Sequence, residues 1–206
     1  MRLNLGCSTD LRGGDWVNVD LVAPTQSTSR VPIATAKFER ADLALPWPWE
    51  DSSVEEIYAA DIFEHISDCV HVMPQECARC IPKGAYPYGS GRKERHWSGR
   101  IHVMNEAHRV LKLGGILTME CPDAAKGAGH FQDPTHVTPW TPNALQYYTD
   151  GSPAHKRFAE AYGITARFKM LGVTERMYTE FAGNSRSRYV VCDVWKFTAV
   201  LEAVKS

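Results

Sequence analysis

The chain has 206 residues, of which 44% are hydrophobic and 23% charged, a globular composition that excludes a disordered tail, a coiled coil or a linker. Twenty-three lysines and arginines meet 24 aspartates and glutamates, so no global field draws the whole chain to nucleic acid or to an anionic membrane. No stretch approaches the roughly 20 apolar residues of a membrane span, and the polar turn at Gly6 comes too early for an export signal. The expectation is a soluble, cytoplasmic protein with a single domain over residues 1–206.

Arg2 to Leu5 is a short apolar run ending in Gly6-Cys7-Ser8-Thr9-Asp10, which predicts a strand and a tight turn. Trp16-Val17-Asn18-Val19-Asp20 alternates and stops on an acid, so a second strand arrives with no room for a long helix before it. Residues 22–40 read as a loop or broken strand. Ala41 to Trp49, punctuated by Pro46 and Pro48, reads as an extended surface segment. Ser53 to Ala60 predicts a strand that runs into Asp61-Ile62-Phe63-Glu64-His65-Ile66.

Residues 67–100 carry four glycines and three prolines with no surviving apolar period, and read as an insertion or long functional loop. From Ile101 the helical period returns, with Val103, Met104, Ala107, Val110 and Leu111 on one face and Gly114-Gly115 as its end. Ile116 to Cys121 is the next strand. A polar loop from Pro122 to Pro142 leads to short helices near 143–148 and 154–162, then to long strands at 167–173 and 189–200 joined through Gly183-Asn184 as an antiparallel hairpin. This order predicts an α/β, Rossmann-like open twisted sheet, mainly parallel with an antiparallel C-terminal hairpin and helices on both faces.

In such sheets ligands bind outside the carboxyl ends of the strands. A small residue in the first turn lets a ligand approach the backbone, and an acid ending the second strand can accept both hydroxyls of a ribose. Gly6 and Asp20 therefore point to a nucleoside-bearing cofactor.

The runs Leu3-Asn4-Leu5-Gly6-Cys7-Ser8 and Trp16 to Asp20 resemble the opening of class I S-adenosylmethionine-dependent methyltransferases. Asp42 to Pro46 with Asp51 to Val54, Asp61 to Ile66, and Glu106 to Pro122 around Arg109-Val110-Leu111-Lys112-Leu113-Gly114-Gly115 resemble that family's later blocks, in the family's order across residues 3–123. The resemblance implies S-adenosyl-L-methionine as cofactor. It places Gly6, Cys7 and Ser8 under the methionine part, Asp20 with Leu21 at the ribose, Asp42 and Leu43 at the adenine, and Asp61 with Ile62 and Glu64 at the amino-acid portion. Ser8 stands where the family usually has a second glycine, and Leu113 where it usually has a proline.

Methyl transfer needs an acceptor in line with the methyl and, for a hydroxyl acceptor, a group to take its proton. His130-Phe131-Gln132-Asp133-Pro134-Thr135-His136 packs two imidazoles and a carboxylate into one loop. His136 is the preferred base with Asp133 as its orienter and His130 as the alternative. A structural turn made by Asp133-Pro134-Thr135-His136 is the competing reading.

Of six cysteines, Cys7, Cys121 and Cys192 are solitary, whereas Cys69, Cys77 and Cys80 cluster with His71 in the insertion. Cys-x-x-Cys presents two thiolates to one ion, so structural zinc on Cys69, His71, Cys77 and Cys80 is one reading, with His96 or His65 as replacement ligands; free thiols and a redox pair are the others. Between residues 79 and 100 six basic residues face the single acid Glu94, a net +5, interleaved with Tyr86, Tyr88 and Trp97. That pattern suits nucleic acid, and equally a solvated loop.

The expected function is methyl transfer to an O- or N-nucleophile of a small molecule, a sugar or a nucleic acid. The alternative is a nucleoside-binding module without catalysis. An NAD-dependent oxidoreductase ranks below both, because its fingerprint needs glycines where Ser8 and Leu11 stand.

Overall fold

The computed structural model describes residues 1–67, 69–72, 94–184 and 187–205, apart from the side chains of 69–72, 94–97, 179–184 and 187–192. In chain order the elements are β1 (Arg2–Leu5), β2 (Trp16–Asp20), β3 (Lys37–Arg40), β4 (Val54–Ala60), β5 (Cys69–Val72), β6 (Glu94–Trp97), α1 (Gly99–Val110), β7 (Leu111–Gly127), α2 (Gly129–Gln132), α3 (Pro153–Tyr162), β8 (Phe168–Asn184) and β9 (Ser187–Ala203). Seven strands form one sheet in the order β3-β2-β1-β4-β7-β9-β8. The first five of these pair in parallel and β9 is antiparallel to both β7 and β8. The chain steps outward from β1 to β3 and then returns to lay β4 on the other side of β1. The sheet therefore switches direction between β1 and β4, which puts the crevice for a ligand at Gly6 and Asp61.

Alternation builds the core. Leu3 and Leu5 of β1, Ile57 and Ala59 of β4, Leu117, Met119 and Cys121 of β7, and Phe197, Ala199 and Leu201 of β9 are all buried in it. Val103, Met104, Ala107 and Val110 of α1 join them at the predicted helical spacing. Helix α3 is bounded as its sequence dictates: the Ser152 hydroxyl caps it by accepting from the His155 N–H at 3.0 Å, Pro153 stands in its first turn, and Gly163 ends it at φ +70°. The predicted C-terminal hairpin is present, with β8 continuing to Asn184 rather than stopping near 173.

Four expectations change. Residues 41–49 are irregular but not superficial, since Leu43, Trp47 and Trp49 lie in the core. The chain turns at residues 43–45, where the Leu45 N–H donates to the Asp42 carbonyl, and the buried Trp47 and Trp49 rings beyond it meet edge to face at 5.7 Å. Helix α1 starts at Gly99 and ends at Val110, four residues before the glycine pair. Gly114, at φ +73°, instead serves an irregularity in β7, where Val54 pairs with Leu111 but Glu56 already pairs with Ile116. The stretch 67–100 is entered and left through a two-stranded antiparallel ribbon, β5 with β6, that pairs Cys69 with Trp97 and His71 with Arg95. Finally, the loop expected from Pro122 is strand as far as Gly127, followed by the single turn of α2.

Candidate active site

Gly6 turns the chain out of β1 at φ +63°, and the following Cys7 N–H donates to the Val19 carbonyl at 3.1 Å. Ser8, also at positive φ, donates its N–H to Asp20 Oδ2 at 2.8 Å, while the Leu21 N–H donates to Asp20 Oδ1 at 2.7 Å. The Val22 N–H also reaches Oδ1 at 3.4 Å, so the carboxylate ending β2 is locked onto the turn after β1 and Oδ2 keeps a lone pair for a further donor. Leu21 beside it is 51% exposed, an apolar surface next to an anchored acid. Cys7 is buried, and burial raises its thiol to about 11, so it packs rather than reacts.

Further along the edge, Asp42 is exposed and closes a turn by accepting from the Ala44 N–H at 2.9 Å. Leu43 sends its side chain into the core and its carbonyl accepts from Trp47 Nε1 at 3.2 Å, so of this pair only Asp42 faces outward. Asp61, at φ +50°, pairs with the Lys196 ammonium, which also lies 3.9 Å from Glu120. Burial pulls the Lys196 pKa down, but the Asp61 carboxylate outweighs it and the net shift is upward. Ile62 lies directly over Gly6.

The loop 133–138 is docked against the end of β4 by backbone bonds. The Val137 and Thr138 N–H groups both donate to the Glu64 carbonyl at 2.9 Å, and the Thr138 hydroxyl donates to the Ile66 carbonyl. Asp133 forms the turn its sequence suggests, accepting at Oδ1 from the Thr135 N–H at 2.8 Å and the Thr135 hydroxyl at 2.6 Å, which together hold its carboxyl below the ordinary value. Its Oδ2 lies 3.8 Å from His136 Nε2. Turn and site are therefore one structure, and the two readings of Asp133 do not compete.

His136 donates from Nδ1 to the His130 carbonyl at 3.0 Å, which leaves Nε2 as the nitrogen with a lone pair. That nitrogen stands 4.0 Å from Glu64 Oε1. The Glu64 side chain has no exposed surface and, apart from its own backbone and the weak Cys121 thiol, its oxygens have no hydrogen-bond partner. Burial, with some help from Asp61, raises its carboxyl to about 8. The His136 ring stacks on His130 at 5.6 Å and meets His65 edge-on at 4.7 Å. Burial lowers the His130 pKa.

The sequence-derived residues thus fall into three groups: Gly6, Cys7, Ser8, Asp20 and Leu21 at the first turn, with Asp61 and Ile62 beside it; Asp42 and Leu43 further along the edge; and Glu64, His130, Asp133 and His136 together. His65, Thr135 and Lys196 belong with them: the sequence points to His65 as a replacement zinc ligand for the insertion, and nothing in it singles out Thr135 or ties Lys196 to Asp61. The four expected zinc ligands Cys69, His71, Cys77 and Cys80, and the basic residues from Arg79 to Arg95, lie outside the residues whose side chains are described.

No protein-family model matches the chain, and no curated protein matches it. Solved structures do. A SAM-dependent methyltransferase from Methanosarcina mazei superposes with a TM-score of 0.52 at 12% identity, covering 100% of this chain and 92% of its own. The YcgJ protein from Bacillus subtilis gives 0.54 at 11% identity with the same coverage of both chains. The fold is that of the class I S-adenosylmethionine-dependent methyltransferases. Among the described residues no helix is long and apolar enough to cross a membrane.

Proposed function

We propose that this protein transfers the methyl group of S-adenosyl-L-methionine to a nucleophile of a small molecule or sugar, a hydroxyl by preference. The observation that carries the reading is the Asp20 carboxylate fixed by the Ser8 and Leu21 amides on the glycine turn, at the same sheet edge as the Glu64 and His136 cluster. The residues present fit the cofactor: an acid anchored at the end of β2 for the ribose hydroxyls, an exposed Leu21 beside it, and a turn whose residue 6 has no side chain. Bound there, the cofactor supplies a sulfonium-activated methyl, so that its sulfur–carbon bond breaks as the acceptor–carbon bond forms.

The protein's own work is then to hold the acceptor in line and receive its proton. His136 Nε2 is the open basic nitrogen, and Asp133 and Glu64 stand ready to stabilise the imidazolium that results. His130 orients His136 through its carbonyl rather than acting as an alternative base. Nucleic acid as acceptor, through the basic insertion, and structural zinc on Cys69, His71, Cys77 and Cys80 are further proposals that rest on sequence pattern alone.

Calorimetric titration with S-adenosylhomocysteine tests the cofactor. Binding should be measurable and should weaken at least tenfold in Asp20→Ala, the usual scale for losing hydrogen bonds to a charged group. No heat at near-millimolar ligand would remove the methyltransferase reading, and retained binding without turnover on any hydroxylated acceptor would favour a binding module.

A further inference from the structure

Glu64, His65 and His136 form a cluster whose potential ligand atoms all lie within 4.8 Å of one another. Zinc bonds to nitrogen and oxygen are about 2.0–2.2 Å long, so two ligands of a tetrahedral ion stand about 3.3–3.5 Å apart. The His136 Nε2 to Glu64 Oε1 separation of 4.0 Å is about half an ångström wider than that, and drawing the three groups onto one ion takes a shift of about an ångström or less in each side chain.

The neighbours of the two imidazoles fix which nitrogen of each is open to a cation. His136 Nδ1 can only donate to the His130 carbonyl, so in the neutral ring Nε2 carries a lone pair. The Thr135 hydroxyl spends its one proton on Asp133 Oδ1, so toward His65 Nδ1, 3.0 Å away, it accepts. His65 is thereby fixed in the same tautomer. Metal-ligating histidines characteristically give their second N–H to an oxygen in this way. Glu64 adds a carboxylate with no exposed surface and no strong donor on either oxygen, aimed at the His136 lone pair. Two imidazoles and a buried carboxyl whose ligand atoms meet within 4.8 Å offer a cation three donors around one point.

We propose that Glu64, His65 and His136 bind one divalent transition-metal ion, zinc being the best match, in a three-ligand site that keeps a coordination position open. Two imidazoles and one carboxylate are a donor set that suits zinc, and three protein ligands with a vacant fourth position are the arrangement of catalytic rather than structural sites. Asp133 Oδ2, 3.8 Å from His136 Nε2, borders the open position. The ion-binding part stands independently of the methyltransferase reading. Its use in catalysis rests on that reading: an acceptor hydroxyl occupying the open position loses its proton to water past Asp133 under the ion's charge, and His136 is then a ligand instead of a base.

The test uses the full chain carrying Cys69→Ser, Cys77→Ser and Cys80→Ser, stripped with a chelator and dialysed against zinc, with cobalt as a spectroscopic probe. Elemental analysis should find one zinc per chain, and the cobalt spectrum should show nitrogen and oxygen coordination without a thiolate charge-transfer band. His136→Ala and His65→Ala should each weaken zinc affinity at least tenfold while still unfolding cooperatively. No bound ion in the triply substituted chain, or unchanged affinity in folded His136→Ala, overturns the proposal. Titration of the same samples with S-adenosylhomocysteine separates the two ideas: cofactor product bound without zinc sinks the metal site alone, and zinc bound without cofactor product sinks the methyltransferase reading alone.

Discussion

Ile62 occupies the space that any side chain at Gly6 would need: a Cβ on Gly6 would stand 2.6 Å from Ile62 Cβ and 2.6 Å from its Cγ1. Because the Ile62 Cβ is itself overlapped, no change of rotamer escapes the clash, and the backbone at the end of β1 or of β4 must move. The positive φ of Gly6 adds about 1 kcal/mol of strain for any L side chain. Gly6→Ala is expected to cost about 2–4 kcal/mol in urea unfolding and to weaken S-adenosylhomocysteine binding at least tenfold. Wild-type stability in this variant would show that the β1 and β4 ends are not in contact.

A buried pair of asparagines holds the short connection between β1 and β2. Asn18 Oδ1 accepts from Asn4 Nδ2 at 2.9 Å and from the Arg12 N–H at 2.8 Å, and its Nδ2 donates to the Arg12 and Lys37 carbonyls at 2.9 and 3.0 Å. Asn4 Nδ2 also reaches the Asp10 carbonyl at 2.8 Å. The loop from Cys7 to Arg12 is held from beneath by these bonds. Asn18→Ala leaves several buried groups unpaired, and a loss of about 2–4 kcal/mol is expected by chemical denaturation. Asn18→Asp should be no better, because it keeps the acceptor but aims a charge at two carbonyls. Cofactor affinity should fall several-fold in both, as the turn loosens.

What the sequence reveals of this site follows from which links are local. Gly6, Asp20 and Asp61 sit at strand ends, and strand ends are legible from alternation and turn residues. The Asp133 turn is legible because the side chain bonds its own neighbours, Thr135 N and Oγ1. The meeting of Glu64 with His136 is not, because it is made by the Val137 and Thr138 amides on the Glu64 carbonyl, and amides carry no residue signature. Lys196 reaches Asp61 across 135 positions, a contact set by the antiparallel β9 lying beside β7. Trp47 and Trp49 mislead for another reason: prolines mark a loop correctly but say nothing about which face of it is buried.

Those tryptophans depend on one guanidinium. Arg109 donates to the Trp47 and Trp49 carbonyls at 3.0 and 2.9 Å, to Asp51 at 2.7 Å and to both oxygens of Glu106, which in turn accepts from the Trp47 N–H at 2.7 Å. Its pKa is pushed up, first by Glu106 and then by Asp51. Arg109→Met should lower stability by about 2–4 kcal/mol, since Glu106 and two carbonyls lose their donor together. Arg109→Lys should recover less than half of that loss, a single ammonium being unable to span five acceptors in a plane. Thermal unfolding of the three proteins side by side decides it, and equal stability of Lys and Arg at this position would contradict the clamp.

Two buried histidines should cost the protein stability as pH falls below about 6.5, against the opposite contribution of Glu64, whose carboxyl is raised to about 8. His102 donates Nε2–H to the Leu45 carbonyl and His108 donates Nε2–H to the Val204 carbonyl, both at 2.9 Å, and burial lowers both pKa values below the usual 6.5. A group whose folded pKa is depressed contributes stability that is present above its unfolded pKa and lost as pH falls through the folded value. Unfolding then takes up protons below about pH 6.5, at up to about 1.4 kcal/mol per pH unit for each imidazole. Stability is therefore expected to be flat between about pH 7 and 8 in respect of these two groups and to fall below about 6.5. His108→Gln, able to keep a donor toward Val204, should lessen that slope by up to the share of one proton. Urea midpoints of both proteins measured at half-unit intervals check the sign: Glu64, with its carboxyl raised to about 8, adds stability on acidification over the same window, so the readout is the difference between wild type and His108→Gln, and a difference that stays constant from about pH 8 to 5 would show that His108 is not held neutral by the fold.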